Sequence, residues 1–254
     1  MLKVAICIPC FEKIDLLRNL LESIKKQTCQ DYLVILSDDS GDDAIQNWIA
    51  LSGDDKIIYH HNEHALGATE NTISAIQTAF EYAPAYIKIM HHDDYFEQSD
   101  ALELMINFLD CNPDLDLLFC GCRDVFSDRE VAHVCTPKEI SELQKDCSLL
   151  YLGNSLGAPS VLLYRNIREV PDKNLVWLVD IEFYIRLLAQ KHKFGYLDQV
   201  LVTIGHDGNQ MTDYCQEHPQ LVLREYLYLF RKLHVLHNKK CLMQLLHVVK
   251  NQIL

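Results

Sequence analysis

Several features are missing from this sequence, and each absence narrows what the protein can be. No stretch of about 18 consecutive apolar residues occurs, so the sequence predicts no membrane-spanning helix. Residues 1–9 are too short for a signal peptide and have the apolar pattern of a first strand, so we expect a cytoplasmic protein. There is no internal repeat and no low-complexity linker. The 254 residues, 49% of them hydrophobic, therefore predict one large globular domain or two small, tightly associated ones.

A disulfide scaffold is also absent. The ten cysteines are too dilute for one, and most lie within apolar runs, so we expect small buried hydrophobic residues with reduced thiols. The spacing Cys7-Ile8-Pro9-Cys10 at a strand-to-helix junction is also found in thioredoxin-type redox motifs. That alternative is disfavoured because Cys7 should lie inside the strand.

The sequence has no overall basic excess. A formal net charge of −13 argues against nucleic acid as a partner, because phosphate binding requires a basic surface. Residues 218–254 are the exception: six basic residues and the single acid Glu225 give this region a charge of +5, which leaves −18 for the rest. A basic, Leu-rich helical tail predicts either contact with anionic lipid or a helical hairpin that completes the core.

Apolar runs alternate with segments of helical periodicity along most of the chain. The predicted strands are residues 3–9, 32–37, 56–60, 86–91, 115–122, 160–164 and 195–204. The predicted helices are residues 12–27, 44–51, 68–82, 99–111, 138–151 and 177–191. This alternation predicts an α/β fold, a mostly parallel sheet flanked by helices, with its ligand beyond the carboxyl ends of the strands.

Carboxylates follow two of these strands and open one helix. The pairs Asp38-Asp39 and Asp93-Asp94 come after predicted strands, and Asp180 stands near the start of the helix 177–191. Neighbouring carboxylates repel each other unless a cation offsets their charge, so the pattern suits a site for a metal-bound diphosphate. The simpler alternatives are a solvated acidic turn at 93–94 and a helix cap at Asp180.

Together, five motifs resemble the family 2 glycosyltransferases of the GT-A fold over roughly residues 1–215. The matching segments are Val4-Ala5-Ile6-Cys7-Ile8-Pro9-Cys10-Phe11, Ser37-Asp38-Asp39-Ser40-Gly41-Asp42, Asn62-Glu63-His64-Ala65-Leu66-Gly67 with Asn71, His92-Asp93-Asp94, and Asp180-Ile181-Glu182-Phe183-Tyr184-Ile185-Arg186. The resemblance implies a nucleotide-binding half at 1–122 and an acceptor half at 123–215. Residues 216–254 would be a basic amphipathic helical extension.

The resemblance implies four nucleotide-sugar contacts. Pro9 and Phe11 would line the nucleobase pocket, with Phe11 against the face of the base. Asp39 would accept a hydrogen bond from a uracil imide nitrogen, and Asp93 would reach the ribose or the metal. The donor implied is a UDP-sugar.

The resemblance also implies a metal and a base. Asp94 and His206 would be ligands of Mn²⁺ or Mg²⁺ at the diphosphate, and Asp180 would take the proton from the acceptor hydroxyl. The expected reaction is an inverting transfer of one sugar to a glycan or lipid-linked acceptor in surface polysaccharide synthesis. We also expect peripheral membrane contact through the C-terminal helices.

Three positions depart from the family pattern. His91 replaces the first acid of the metal motif, Val179 replaces the acid before Asp180, and Glu70 replaces a basic residue before Asn71. These departures keep open a non-catalytic sugar- or nucleotide-binding relative. A nucleotidyltransferase is a further alternative, but no Gly-rich basic loop follows the first strand. The Gln-x-x-Arg-Trp motif of processive enzymes is absent, which favours one sugar per turnover.

Overall fold

One mixed sheet with helices packed against it organises the structure. This computed structural model describes residues 2–206, 214–215, 217–233 and 238–253, and it describes side chains up to residue 250. In chain order the strands are β1 (Val4–Cys10), β2 (Tyr32–Asp38), β3 (Ile57–His61), β4 (Tyr86–Ile89), β5 (Tyr95–Phe96), β6 (Leu117–Val125), β7 (Glu130–His133), β8 (Leu162–Arg165) and β9 (Phe194–Gly205).

Helices fill the connections between these strands and follow the last of them. The helices are α1 (Ile14–Lys25), α2 (Ala44–Ser52), α3 (Ala68–Glu81), α4 (Ala101–Cys111), α5 (Pro137–Lys145), α6 (Val179–Ala189), α7 (Pro219–Lys232) and α8 (Lys239–Ile253). Two 3-10 helices, Cys147–Leu152 and Pro159–Val161, lie between α5 and β8.

The first four strands form the parallel part of the sheet. β1 lies between β2 and β4, and β3 pairs with the outer side of β2. Because these strands are parallel, the residues that follow β1, β2 and β4 meet at one edge, which we call the carboxyl rim. The strand–helix alternation predicted this half of the fold correctly.

Beyond β4 the sheet is mixed. β8 runs antiparallel to both β4 and β6, while β9 runs parallel to β6 and antiparallel to β5. The sequence did not indicate β5, because two residues carry no recognisable period, nor did it specify the direction of β8. The predicted α/β fold of the GT-A type, with a helical C-terminal region, is confirmed.

Burial explains why these segments form these elements. Every residue of β1 is buried, as its unbroken apolar sequence requires of a strand covered on both faces. In α1 the buried residues are spaced three and four apart, so one stripe faces the sheet: Leu17, Leu20, Leu21 and Ile24. Each such leucine contributes about 1.5–3 kcal/mol by leaving water.

Helix α7 packs into the core. Its buried apolar residues are Val222, Tyr226, Leu229 and Phe230, and the Tyr151 hydroxyl donates a hydrogen bond to the Tyr226 carbonyl oxygen at 3.0 Å. The packing of α7 agrees with one of the two alternatives for the basic tail, a helical hairpin that completes the core. Among the described residues, no helix has both the length and the apolar content that crossing a bilayer requires.

Candidate active site

Asp38 holds the turn that follows β2. It is fully buried, and its Oδ1 accepts hydrogen bonds from the Ser40 backbone N–H and hydroxyl at 2.9 and 2.6 Å. Its Oδ2 accepts one from the Tyr59 hydroxyl at 2.7 Å. Asp38 is therefore a structural residue, and Asp39 is the acid of this pair that lies nearer the carboxyl rim.

Asp39 joins the end of β2 to the loop before α3. Its Oδ1 accepts a hydrogen bond from Asn62 Nδ2 at 2.7 Å, and its Oδ2 accepts from the backbone N–H groups of Leu66 and Gly67 at 3.0 and 2.8 Å. A carboxylate offers about four acceptor positions, so one further donor can still bind. The ligand contact predicted for Asp39 would thus share the carboxylate with a structural role.

The residues predicted to contact the nucleobase lie beside Asp39. Pro9 of β1 pairs in register with Ser37 of β2, and the Asp39 N–H donates to the Cys10 carbonyl oxygen at 3.0 Å. Phe11 follows β1 directly and is 49% exposed. A half-exposed aromatic ring next to a polar loop can stack on a planar ligand ring.

Residues 91–94, which we call the acid turn, begin two residues after the end of β4. His91, Asp93 and Asp94 each offer one ligand atom, and these atoms all lie within 4.8 Å of one another. Within the described part of the chain, no other group of three such side chains is this close. Carboxylate oxygens suit Mg²⁺ and Mn²⁺, and a histidine nitrogen also suits Mn²⁺ or a softer metal.

Asp94 is buried, whereas His91, His92 and Asp93 are half-buried. Burial raises the pKa of Asp94 well above its usual range, and the adjacent Asp93 carboxylate raises it further. Burial also lowers the pKa of His91 and lowers the pKa of Lys88, which lies inside β4, to about 8. Two acids that repel each other in such a place would gain from a nearby cation.

Two contacts from other parts of the chain hold Asp94. The Ser160 hydroxyl donates to Asp94 Oδ2 and also accepts from the His91 backbone N–H at 3.0 Å. The Gly205 N–H donates to Asp94 Oδ1 at 3.1 Å. A Cβ at position 205 would collide with the Asp93 carbonyl oxygen, so only glycine allows this approach.

His206, the second predicted metal ligand, lies next to Gly205 in the chain. Its Nε2 lies 2.8 Å from Asp124 Oδ1, and its ring stacks on Phe126 with 4.1 Å between centroids. His206 does not belong to the group of three ligand atoms that His91, Asp93 and Asp94 form in the acid turn. Residues 207–210 of the same predicted loop lie outside the described residues. A metal role for His206 therefore stays a prediction.

Asp180 is the second residue of α6. Its Oδ1 accepts from the Ile181 N–H at 2.8 Å and its Oδ2 from Asn154 Nδ2 at 2.6 Å. The N-cap residue is Leu178, so Asp180 is not the cap itself, although it accepts from one N–H group of the first turn. Burial raises the pKa of Asp180 to about 6, although both hydrogen bonds lower it. A carboxylate that titrates near neutral pH is suited to act as a general base.

The segment 154–160 contacts two of the three predicted site acids Asp39, Asp94 and Asp180. Asn154 at its start bonds to Asp180, and Ser160 at its end bonds to Asp94. Neither residue was among the predicted site residues: Asn154 lies where the sequence predicted no strand or helix, and Ser160 begins the predicted strand 160–164. The Gly-Asn-Ser composition indicated a turn, but nothing local in the sequence identified the distant partners.

The start of α3 links Asp39, the third of the predicted acids, to the loop before α6. The Gly67 N–H bonds to Asp39, and two residues later the buried Thr69 hydroxyl donates to the Leu175 carbonyl oxygen at 2.8 Å, five residues before Asp180. Short segments therefore connect the surroundings of all three predicted acids.

The redox alternative for the first strand does not fit. Cys7 and Cys10 are buried, and burial raises the pKa of both thiols, whereas a redox cysteine needs a lowered pKa. All ten cysteines are described, and none forms a disulfide.

Comparisons with known sequences agree with the motif pattern. The sequence profile of glycosyl transferase family 2 matches residues 5–144, more than half of the chain. An uncharacterized glycosyltransferase of Methanocaldococcus jannaschii is 25% identical over 193 residues, which cover 73% of this chain and 64% of that protein. The chain therefore spans a little less than two thirds of this relative.

Solved structures share the fold. S. aureus TarS in complex with UDP-GlcNAc superposes with a TM-score of 0.66 at 17% identity, covering 89% of this chain and 66% of that one. A mannosyltransferase from Pyrobaculum calidifontis in complex with GDP-Man and Mn²⁺ gives a TM-score of 0.63 at 13% identity, covering 98% of this chain and 74% of that one.

Proposed function

Because the chain belongs to glycosyl transferase family 2, we propose that it transfers one sugar, with inversion, from a nucleoside diphosphate sugar to a hydroxyl of a glycan or lipid-linked acceptor. The observation that carries this proposal is the arrangement around the carboxyl rim. There a half-exposed aromatic residue, the acid turn with its buried Asp94, and a carboxylate with a raised pKa are joined by short hydrogen-bonded segments.

A UDP-sugar is the proposed donor. Phe11 would stack on the base, Pro9 would line its pocket, and Asp39 retains acceptor capacity for an imide N–H beside the three hydrogen bonds it already accepts. Among the similar structures, TarS binds UDP-GlcNAc, while the mannosyltransferase binds GDP-Man. The proposed preference for uracil comes from the family resemblance, in which Asp39 would accept from the uracil imide N–H.

Mn²⁺ or Mg²⁺ is the proposed cofactor, and the acid turn fits it. Asp93 and Asp94 would hold the ion with His91, and His206 would join them if it left Asp124. Bound there, the ion would supply positive charge to a diphosphate leaving group. The chain's own contribution is to fix Asp94, through Ser160 and Gly205, before any ligand arrives.

Asp180 is the proposed general base. Its carboxylate takes the proton from the acceptor hydroxyl while that oxygen forms a bond to the anomeric carbon. The bond between this carbon and the diphosphate oxygen breaks, and the electron pair leaves with the diphosphate. Asn154 orients the carboxylate, whose other oxygen accepts from the Ile181 N–H. A well-placed base contributes about 10²–10⁴-fold to such a step.

The two halves of the fold would divide this work. Residues 1–122 would bind the nucleotide, since they carry Asp39 and the acid turn, and residues 123–215 would bind the acceptor, since they carry Asn154 and Asp180. Within the second range, residues 207–213 lie outside the described part of the chain.

The outer face of α8 is the proposed contact with a membrane. Leu242, Met243 and Leu246 are 41%, 65% and 52% exposed on this face. The exposed basic residues around them are Lys239, Lys240 and Lys250. Apolar residues framed by lysines complement an anionic lipid surface, as expected of an enzyme that builds surface polysaccharide at the cytoplasmic face of the membrane.

Flotation with phosphatidylglycerol liposomes tests this contact. The triple change L242S/M243S/L246S should abolish flotation, whereas L51S, at a leucine 87% exposed on α2, should not. Equal flotation of the triple variant and the unmodified protein would contradict the membrane contact and leave the catalytic proposal untouched.

A ligand screen tests the catalytic proposal. A ligand that binds only the folded state raises Tm, so UDP-sugars should raise it more in the presence of Mn²⁺ than without it, and D94N should lose this increment. Release of UDP from the responding donor, with transfer to a hydroxyl acceptor, is the expected activity.

The same screen separates the two alternatives. A nucleotidyltransferase would respond to a nucleoside triphosphate and release pyrophosphate. A non-catalytic relative would bind a nucleotide sugar without consuming it, either alone or with acceptor. Either outcome would contradict the proposed function.

A further inference from the structure

Glu225 of α7 is bonded to the start of α6. It is the single acid in the basic region 218–254, and it is 1% exposed. Its Oε1 accepts from the Val176 N–H at 2.7 Å, and its Oε2 accepts from the N–H groups of Trp177 and Leu178 at 3.0 and 2.9 Å. One carboxylate therefore satisfies three consecutive backbone donors.

These donors are the N-cap residue of α6, Leu178, and the two residues before it, so they lie at the end of α6 that carries Asp180. Leu178 is the N-cap of α6 and makes no side-chain cap, so the free N–H groups at this end need acceptors from elsewhere. An ionised carboxylate is favoured at a helix N-terminus by the helix dipole, and its hydrogen bonds are stronger than neutral ones. Glu225 thus acts as an anionic cap supplied by a distant helix, two residues from Asp180.

Helix α7 is held firmly enough to keep this cap in place. Lys232 Nζ lies 2.5 Å from Asp172 Oδ2 and 2.7 Å from Glu182 Oε1, which belongs to α6 itself. The Tyr228 hydroxyl donates to Asp172 Oδ2 at 2.6 Å. Helix α7 therefore contacts α6 and the loop before it at several points, so Glu225 has little freedom to move.

We propose that Glu225 is a positioning residue for Asp180: by fixing the backbone at 176–178, it sets the direction of the Asp180 carboxylate and holds a negative charge near it. This inference rests on the proposed function, since it assigns Asp180 the role of base. It makes α7, which lies outside the segment matched by the family profile, part of the catalytic unit.

Among the described residues, Glu225 and Tyr184 are titratable groups that interact electrostatically with Asp180. Glu225 raises the pKa of Asp180 through its charge, after the larger effect of burial, while the hydrogen bonds from Ile181 and Asn154 lower it. Tyr184, one turn along α6, also interacts electrostatically with Asp180, although burial raises the pKa of Tyr184 and keeps it neutral. Removing the charge of Glu225 should therefore lower the pKa of Asp180.

The test is the pH profile of E225Q, in which the side chain keeps its size and loses its charge. The acid limb of kcat should move to lower pH, and kcat at the plateau should fall about tenfold, because a displaced and weaker base removes less of the barrier. KM for the donor should stay the same, since Glu225 lies far in sequence from Asp39 and the acid turn and contacts neither. E217Q, the same change at an exposed acid, should leave both kcat and the acid limb unchanged.

A purely structural role predicts a different result. In that case E225Q would lower Tm, yet kcat per folded molecule and the acid limb would match those of the unmodified protein, and the proposal would be overturned. If E225Q does not fold, E225D is the second variant, because it keeps the charge but moves it one methylene further from α6. A reduced kcat of E225D with an unchanged donor KM supports the proposal. An unchanged kcat overturns it.

A measurement without substrate separates this inference from the proposed function. Carbon NMR of protein labelled at the aspartate carboxyls, with D180N to assign the signal, gives the pKa of Asp180 directly. A lower pKa in E225Q than in the unmodified protein supports the electrostatic part of the proposal even if no transfer is found, and an unchanged pKa overturns it.

Discussion

Asn154 donates a hydrogen bond from Nδ2 to Asp180 Oδ2 over 2.6 Å, and its Oδ1 accepts from the backbone N–H groups of Leu156 and Gly157 at 3.2 and 3.1 Å. The same side chain thus shapes the loop and restrains the carboxylate. Because the amide donates to the ionised form of Asp180, it lowers a pKa that burial raises.

This contact leads to a prediction about pH. A base must be deprotonated, so kcat should be constant at high pH and fall as pH drops below the Asp180 pKa of about 6. N154A removes a stabilising donor, so its acid limb should move to higher pH, the opposite direction to E225Q. N47A, at an exposed position of α2, is the control. An acid limb that stays in place in N154A would contradict the assignment of Asp180.

Removal of the base itself should separate chemistry from binding. In D180N the amide cannot accept a proton at neutral pH, so kcat should fall about 10²–10⁴-fold. The donor should still raise Tm, because the predicted donor contacts lie at β1, β2 and the acid turn. Steady-state kinetics and thermal shift on the same preparation check this. Loss of donor binding together with kcat would count against the base and favour a structural role.

Ser160 should determine how well the acid turn binds a metal. In S160A, Asp94 loses a buried hydrogen-bond donor, so Mn²⁺ affinity should fall about 10–100-fold, as for other groups that orient metal ligands. Calorimetric titration with Mn²⁺ measures this change. S99A, at an exposed serine, should bind Mn²⁺ as the unmodified protein does. If S160A and S99A bind Mn²⁺ with equal affinity, the metal does not bind at the acid turn.

Phe11 should contribute to donor binding and little to stability. Stacking of a base on an aromatic ring is worth about 1–3 kcal/mol, so F11A should weaken UDP binding by that amount. Because the side chain is 49% exposed, Tm without ligand should hardly change. L51A, at a more exposed apolar residue, is the matched control. Unaltered UDP affinity in F11A would show that the base binds elsewhere.

Asp172 should make the attachment of α7 dependent on pH. Burial raises the pKa of Asp172, but hydrogen bonds from Lys232, Tyr228 and Asn174 outweigh burial and hold it below its usual range. A carboxyl group with a lowered pKa stabilises the folded state above its unfolded pKa of about 3.9, and this stability is lost as pH falls further. Urea unfolding should therefore show D172N clearly less stable at pH 6, with the difference shrinking towards pH 3. A constant difference would contradict this.

Much of the first half of the fold, residues 1–122, could be predicted from the sequence. The runs that became β1, β2 and β4 are apolar, because parallel strands covered on both faces must be. The acids at 38–39 stand at the end of β2 and those at 93–94 shortly after β4, so their position at the carboxyl rim follows from topology. Local composition does not distinguish Asp38 from Asp39. The family resemblance selected Asp39, and the structure gave Asp38 its partners Ser40 and Tyr59.

The sequence by itself determined the fold class, the family and the acids at the strand ends, because these depend on local periodicity and on short motifs. Tertiary structure alone decided which groups hold those acids: Ser160 and Gly205 on Asp94, Asn154 on Asp180, and Glu225 at the start of α6. Such contacts join residues 26 to 111 positions apart, and a hydrogen bond across that separation leaves no pattern in the local sequence. The basic tail likewise left two alternatives open, and only the burial of α7 showed that this helix belongs to the core.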